Sequence, residues 1–407
     1  MREAHAHIFQ LGRSLTMLDC SGCSSRDEML SLIRERSSTL RDDEWVLAHS
    51  VRPEGWDDPR WPTRMELDGA SGYRPVSAWC FDYHSMAASS AALSHAGIHA
   101  GSTIDRGIVG VNEQGELTGM LYEHAALVLW SSVPEPSTAD RRSLIIAACD
   151  HLKQLGFNEV HDLKSQDWLG PLLHDLQSEG ITDQRFELFP LIKDLDATLA
   201  TRSTWESDQL KLAGTKIFTD GALNSRTAWM LEEYCDTPSL GTPMMTAQEI
   251  DDAMLLSKSH NLPVAAHAIG DAAVRAVLDS IERTGCRDSG MRIEHLELVH
   301  PDDLPRFKAL GVIASVQPCH LLPDIEALNT ALHDRLDRVL PLRSLIDSGL
   351  EPGTELVFGS DVPIVRADHE DSLQAAIHRR RDGMDASDAI GMDQALTREE
   401  SLTCFGV

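Results

Sequence analysis

The stretch Lys216-Ile217-Phe218-Thr219-Asp220-Gly221-Ala222-Leu223-Asn224-Ser225-Arg226 places a lysine at the end of an apolar run that reads as a buried strand. Lysine is scarce in this chain: seven occur in 407 residues, and none precedes Lys153. An ammonium carried into a packed interior is costly unless it is paired or chemically altered. On this stretch alone two readings stand side by side, an ion pair with a carboxylate such as Asp220 and a chemical role for Lys216, because structural ion pairs also perturb buried lysines.

Further short apolar runs lie around it, at Glu159–Leu163, Phe186–Ile192, Leu212–Phe218, Pro263–Ala268, Met291–Leu296, Val312–Val316 and Glu355–Gly359. Helical stretches separate most of them. Thr246-Ala247-Gln248-Glu249 is a capping box, Asp271 to Arg283 carries Val274, Val277, Leu278 and Ile281 on one face, and Asp302 to Leu310 forms a third such stretch. The tail of one more strand leads into Glu3-Ala4-His5-Ala6-His7, where alternation puts His5 and His7 on the same face. Strands alternating with helices predict a parallel α/β fold, and eight such units predict a (β/α)8 barrel of the TIM type.

The regular pattern is interrupted after the first strand. Residues 41–135 hold five of the eight tryptophans (Trp45, Trp56, Trp61, Trp79 and Trp130), many turn formers and short apolar runs. The expected organisation is a first barrel strand and loop over 1–23, an inserted small α+β subdomain over 24–138, and the rest of the barrel over 139–407.

Composition narrows the partners. Lys and Arg total 36 against 64 Asp and Glu, a net charge of −28 that repels phosphate backbones and anionic membranes. Nucleic acid and membrane are therefore excluded as expected partners, and a small-molecule substrate is expected. Eight scattered cysteines read as reduced thiols, the single Cys20-x-x-Cys23 lacking the second pair that a structural zinc ribbon needs. With no signal-peptide pattern and no membrane-length apolar window, the expected location is cytoplasmic.

The polar residues at the predicted strand ends are the candidates for chemistry. They are His5 and His7, Lys216, His267 in Ala-Ala-His-Ala-Ile-Gly-Asp271, His295 in Arg-Ile-Glu-His, and Asp361 in Phe-Gly-Ser-Asp-Val-Pro363. Each alone has an ordinary structural reading; four histidines, a lysine and an aspartate at the ends of five predicted strands are hard to obtain from structural needs. Imidazoles and carboxylates suit zinc and similar divalent ions. A lysine ammonium has no lone pair and cannot ligate, but its carbamate, formed with carbon dioxide, is an anionic oxygen ligand.

With these residues the chain resembles the amidohydrolase superfamily, and within it the amidohydrolase family 3 or YtcJ-like branch, which includes enzymes resembling N-substituted formamide deformylases. The resemblance runs over essentially the whole chain. Besides the strand-end motifs, it is carried by Gly55-Trp56-Asp57-Asp58 through Thr63, His84-Ser85 through Ile98, Gly119-Met-Leu-Tyr-Glu123, and Ser315-Val-Gln317-Pro318-Cys-His320. It implies a metal-dependent hydrolase acting on a C–N bond of an amide, N-formyl or cyclic amide, with ester hydrolysis or a metal-binding but catalytically impaired barrel as alternatives. It implies His5 and His7 as ligands of a first metal, His267 and His295 of a second, Lys216 bridging as its CO2-derived carbamate, and Asp361 both as ligand and as the group that moves protons. One or two ions of Zn2+ or a similar divalent metal are expected. His84, Arg226 and His320 are weaker candidates for substrate contact, with a loop-fixing salt bridge as the competing reading of Arg226.

Departures from the family pattern are also visible. Asn224 stands where the family has glycine, and Ser89 where it has asparagine. The family's flanking β-sandwich is missing from this sequence, since four residues precede His5 and the sequence ends at Val407; a stripped-down barrel and a fragment of a longer chain are the two readings, and the uncovered flank is expected to be covered by other side chains or buried in a homo-oligomer.

Overall fold

The computed structural model describes residues 1–407 except Asp42, Asp43, Asp82, His84 and Arg106, and except the side chain of Glu54. Two compact units emerge, one formed by Met1–Leu11 with Ile145–Val407, the other by Gly12–Leu144. The first opens with strand β1 (Arg2–Ala6).

The unit from Gly12 to Leu144 contains β2 (Leu18–Asp19), β3 (Val46–Val51), β4 (Val76–Cys80), β5 (Ser85–Ala88), β6 (Gly107–Val111) and β7 (Leu117–Glu123). They form one mixed sheet in the order β2-β3-β4-β5-β7-β6, parallel from β2 to β4 and antiparallel beyond. Because strand side chains alternate, Val76 and Ala78 enter one core with Met29, Ile33 and Trp56, while Trp79 enters another with Met86, Leu121 and Leu129. Trp56 is buried in the first of these cores and Trp61 packs against it.

The larger unit continues with β8 (Glu159–Ser165), β9 (Arg185–Pro190), β10 (Leu210–Leu212), β11 (Thr215–Phe218), β12 (Val264–Ala268), β13 (Arg292–His295), β14 (Ile313–Val316) and β15 (Leu356–Phe358). Two sheets run β1-β8-β9-β10 and β11-β12-β13-β14-β15. Every ladder in them is parallel among the described residues. Isolated parallel bridges join Leu191, just past β9, to Lys216, and Ala6 to Val362, just past β15. An α/β architecture with mostly parallel sheets is what strands alternating with helices predict.

The helices follow their sequence signals. Thr246 and Glu249 close both halves of the capping box that starts helix Ala247–Ser259. Helix Asp271–Thr284 buries Val274, Val277, Leu278 and Ile281, each such side chain contributing about 1.5–3 kcal/mol on full burial. It stops at Gly285, whose φ of 64° suits the left-handed cap.

One expected strand requires correction. Leu212–Phe218 does not form a single element; β10 ends at Leu212 and β11 starts at Thr215. The break falls at Gly214, where a Cβ would lie 2.6 Å from the Phe189 ring and 2.7 Å from the Pro263 carbonyl oxygen. Only glycine allows that approach, so the β9–β10 ladder is interrupted there before β11 pairs with β12, and contact with the end of β9 resumes at the Leu191–Lys216 bridge. All eight cysteines are free, and no helix among the described residues is long and apolar enough to cross a membrane.

Candidate metal centre

The C-terminal ends of β1, β12 and β13, the second residue of β11 and the turn three residues past β15 bring His5, His7, His267, His295, Lys216 and Asp361 into one neighbourhood of the larger unit. His5 Nε2 lies 3.4 Å and His7 Nε2 2.9 Å from Asp361 Oδ1. Imidazole centroids are 4.9 Å apart for His5 and His295 and 4.4 Å for His267 and His295. One donor atom each from His5, His295 and Asp361 falls within a 4.8 Å span.

Around these groups lies a scaffold of buried polar residues. Glu294 Oε2 is 2.8 Å from His5 Nδ1, so that ring donates to the carboxylate and keeps Nε2 for the centre. Arg292, two residues along β13 and on the same face, donates from Nε to Glu294 Oε1 at 2.9 Å, from Nη2 to Ala4 O at 2.8 Å and Ser315 Oγ at 3.0 Å, and from Nη1 to His161 Nδ1 at 2.8 Å. Although burial alone would raise it, Arg292 and His5 hold Glu294 well below the usual carboxylate range. Glu3 works at the other edge: Oε1 accepts the backbone N–H groups of His5 at 3.1 Å and Ser360 at 2.8 Å, and Oε2 accepts the Ser360 hydroxyl at 2.9 Å.

Asp220 is not the partner of Lys216. Its carboxylate accepts the backbone N–H groups of Trp229 and Gly270 at 2.9 Å and of Ile269 at 3.1 Å, tying the turns beyond β11 and β12 together. His267 Nε2 meets Gly221 O at 3.0 Å and Asp220 Oδ1 at 3.5 Å. Lys216 itself is fully buried, and its ammonium has no hydrogen-bond partner. Burial pulls it down to about 8, against the opposing pull of Glu294 and Asp361. Burial also lowers His5 to about 4 and His267 to about 3, with Lys216 adding to both. Asp361, which burial would raise, is held below the ordinary carboxylate range by His5, His7 and His320.

Four buried polar atoms in this cluster lack hydrogen-bond partners: Lys216 Nζ, His7 Nδ1, His295 Nδ1 and Asp361 Oδ1. Each such orphan costs on the order of 1–3 kcal/mol if nothing else engages it. The backbone is held in the left-handed region at His295 (φ 75°), Leu296 (φ 53°) and Asp361 (φ 64°), a further cost on the order of 1–3 kcal/mol each. Unsatisfied imidazole and carboxylate atoms, strained backbone and a donor set suited to zinc-like ions fit a divalent metal. The 3.4 Å between His5 Nε2 and Asp361 Oδ1 matches the edge, about 3.4 Å, of a tetrahedron with bonds of about 2.1 Å.

The weaker candidates separate. His320 borders the cluster, with Nε2 3.3 Å from Ser360 O and 3.8 Å from Asp361 Oδ2, and Nδ1 3.6 Å from Glu297 Oε1. Burial opposes its protonation, but Glu297 and Asp361 push it up to about 9. Arg226 grips Asp236, Nη2 to Oδ2 at 2.7 Å, and also donates to Leu223 O, which is the loop-fixing pair. His84 lies outside the described residues. Asn224 donates to Asp324 Oδ1 at 2.7 Å, and Ser89 caps helix Ser90–His95 by accepting from the Ala92 N–H.

Sequence reasoning missed Glu3, Arg292, Glu294 and Glu297. Glu3 and Glu294 stand two and one residues from predicted ligands, and an acidic residue inside a buried strand was the available signal.

The family model of an amidohydrolase family matches residues 1–405. Protein LONG AFTER FAR-RED 3 of Arabidopsis thaliana is 29% identical, over 93% of this chain and 67% of that protein. Putative amidohydrolase YtcJ of Bacillus subtilis (strain 168) is 26% identical, over 93% and 72%. An N-substituted formamide deformylase of Arthrobacter pascens is 24% identical, over 100% and 77%. Among solved structures, an uncharacterized metal-dependent hydrolase from Pyrococcus furiosus superposes with a TM-score of 0.78 at 28% identity, covering 98% of this chain and 79% of that one.

Proposed function

The chain belongs to the amidohydrolase family, and from that premise we propose that it is a metal-dependent hydrolase of small molecules that cleaves a C–N bond of an amide, N-formyl or cyclic amide. We read the larger unit as a closed (β/α)8 barrel, on the support of parallel ladders linked by the Leu191–Lys216 and Ala6–Val362 bridges, and residues 12–144 as an insertion after its first strand.

One observation carries the functional reading: Asp361 Oδ1 has no hydrogen bond, yet lies 2.9 Å from His7 Nε2 and 3.4 Å from His5 Nε2, inside a cluster that also holds a buried, unpartnered Lys216. His5, His7 and Asp361 would hold one ion of zinc or a similar metal, and His267 and His295 a second. When bound, such an ion polarises a carbonyl and acidifies water enough for attack near neutral pH.

Lys216 completes the set as a carbamate. Its neutral amine adds through the Nζ lone pair to the carbon of CO2, a C–N bond forms, one proton is released, and an anionic oxygen donor replaces a repelling ammonium. Burial that lowers Lys216 to about 8 supplies the neutral amine this step needs. Asp361 takes a proton from the attacking water and hands it to the leaving nitrogen. Glu294 orients His5, Glu3 holds the backbone of His5 and Ser360, and His320, beside Leu321 and Leu328, contacts the substrate.

The similarity to the N-substituted formamide deformylase puts N-formyl amines first among substrates. The test is a panel of N-formyl amines, N-acyl amines and cyclic amides, with matched esters, assayed with added zinc and bicarbonate. Turnover of one amide class that needs both additions is the expected result; ester turnover with no amide turnover would refute the C–N assignment.

A further inference from the structure

Beyond the ligands assigned above, a second group of donors stands at the end of β13 and the start of the segment after β14. His295, Glu297 and His320 are all buried, and one donor atom from each lies within a 4.8 Å span. Glu297 Oε1 and His320 Nδ1 are 3.6 Å apart. That is too long for a good hydrogen bond and close to the roughly 3.4 Å edge of a tetrahedral site with bonds of about 2.1 Å. The other nitrogen of His320, Nε2, faces the Ser360 carbonyl oxygen at 3.3 Å. With Nε2–H taken by a backbone carbonyl, Nδ1 is the nitrogen turned toward Glu297, the arrangement metal-ligating histidines adopt, and a bound cation would take the place of its proton. His295, shared with the main centre, has a buried Nδ1 without a partner.

We propose that His295, Glu297 and His320 form an accessory cation position beside the main centre, for zinc or another divalent transition ion. It rests on the reading of the neighbouring cluster as a metal centre but uses a different ligand set, two of whose members belong to no assigned role as ligands. A carboxylate and two imidazoles match the ligand types of catalytic zinc sites that keep an open position. Glu297 brings the negative charge, and Asp361 Oδ2, 3.8 Å from His320 Nε2, adds to the attraction for a cation. Occupancy ties His320 and His295 to this position, so excess metal is expected to compete with their roles in turnover.

The test counts metal. Metal-free wild type, Glu297→Gln, His320→Asn and a His7→Asn/Lys216→Met double variant are dialysed against zinc, and bound zinc per chain is measured by mass spectrometry. The expected result is one ion fewer, or at least about a 10-fold weaker last ion, in Glu297→Gln and His320→Asn. The double variant should keep an ion that disappears when Glu297→Gln is added. Unchanged stoichiometry and affinity in both single variants overturns the accessory position and leaves the main centre standing; wild type that binds no zinc overturns both. Cobalt titration of a His7→Asn/Lys216→Met/His267→Asn variant, in which both ions of the main centre have lost ligands, gives a readout that does not depend on the Glu297 variants folding: one saturable absorption change is expected, and none overturns the proposal.

Discussion

Ser360 is fastened to Glu3 by two hydrogen bonds, its N–H to Oε1 at 2.8 Å and its hydroxyl to Oε2 at 2.9 Å. The same Oε1 receives the His5 N–H at 3.1 Å, so one buried carboxylate holds the residue before Asp361 and a predicted ligand on β1. Glu3→Ala is therefore expected to destabilise the fold by about 3 kcal/mol, from the loss of several bonds to a charged group worth about 1.5–3 kcal/mol each with partial relaxation. It should also weaken zinc binding by about 10–100-fold, the usual cost of losing an outer support. Denaturant melts and zinc titration check both, and a variant that binds zinc as wild type does would show that Glu3 has no part in shaping the centre.

Arg292 and Glu294 form a fully buried pair at 2.9 Å. Removing one partner strands the other charge, so Arg292→Met should cost about 3–5 kcal/mol. The double change Arg292→Met/Glu294→Gln should cost less than the two single changes summed. Urea unfolding of the four proteins measures the coupling, and strict additivity would mean that the pair is energetically idle.

Lys216→Met should abolish any effect of bicarbonate on activity and reduce turnover by more than the roughly 10–100-fold that an outer-shell support is worth. Short carboxylic acids, small enough to enter the space the carbamate leaves, are expected to restore part of it. Activity that responds to bicarbonate in the variant as in wild type would remove Lys216 from the ligand set.

Asp361→Asn keeps size and shape but cannot carry the proton. Turnover is expected to fall by about 10²–10⁴-fold, the usual range for a general acid–base, with KM changing little. A steady-state comparison on whichever amide is turned over reads this split, and a loss confined to KM would reassign Asp361 to binding.

Glu400 supplies a prediction on pH away from the centre. Its carboxylate takes both Arg343 Nη1 at 2.9 Å and Nη2 at 2.6 Å, and completes the capping box of helix Arg398–Cys404 with Thr397. The Arg343 contact, with Thr397 assisting, lowers it from 4.5 to about 2. A lowered carboxylate stabilises fully above its unfolded value and loses that contribution as pH falls through the folded one. Glu400→Gln should thus be less stable than wild type by about 1 kcal/mol at pH 7, the worth of a helix cap, and the difference should fade between pH 4.5 and pH 2.

The sequence was most legible where a physical requirement leaves a periodic trace. Val274, Val277, Leu278 and Ile281 announce a packed helix because burial demands one face, and Thr246 with Glu249 marks a helix start because orphan N–H groups demand acceptors. The strand-end histidines, lysine and aspartate stood out because their chemistry is unusual for buried ends, and the structure brings them into one cluster. Glu3, Arg292 and Glu294 were not, since a buried carboxylate is explained only by partners that lie hundreds of residues away: Glu3 meets Ser360, and Glu294 meets His5. The sequence could not exclude Asp220 as a partner of Lys216 for the same reason; its partners are the backbone N–H groups of Trp229, Ile269 and Gly270. The break at Gly214 escaped detection because a short apolar run looks the same whether it follows one neighbour or changes from β9 to β12.

The interruption at Gly214 separates the β9–β10 ladder from the β11–β12 ladder, leaving the Leu191–Lys216 bridge as the link from the end of β9 to Lys216. On its upstream side the segment is registered to β9, Leu210 to Phe186 and Leu212 to Leu188; downstream, Lys216 is registered to Ala265 and Phe218 to His267. Strain from a length change in the loop before β10 can relax at the joint instead of travelling along a continuous ladder. The height of Lys216 relative to His267 is then set by the β11–β12 register together with the Leu191–Lys216 bridge, so a change in the loop before β10 reaches the lysine only weakly.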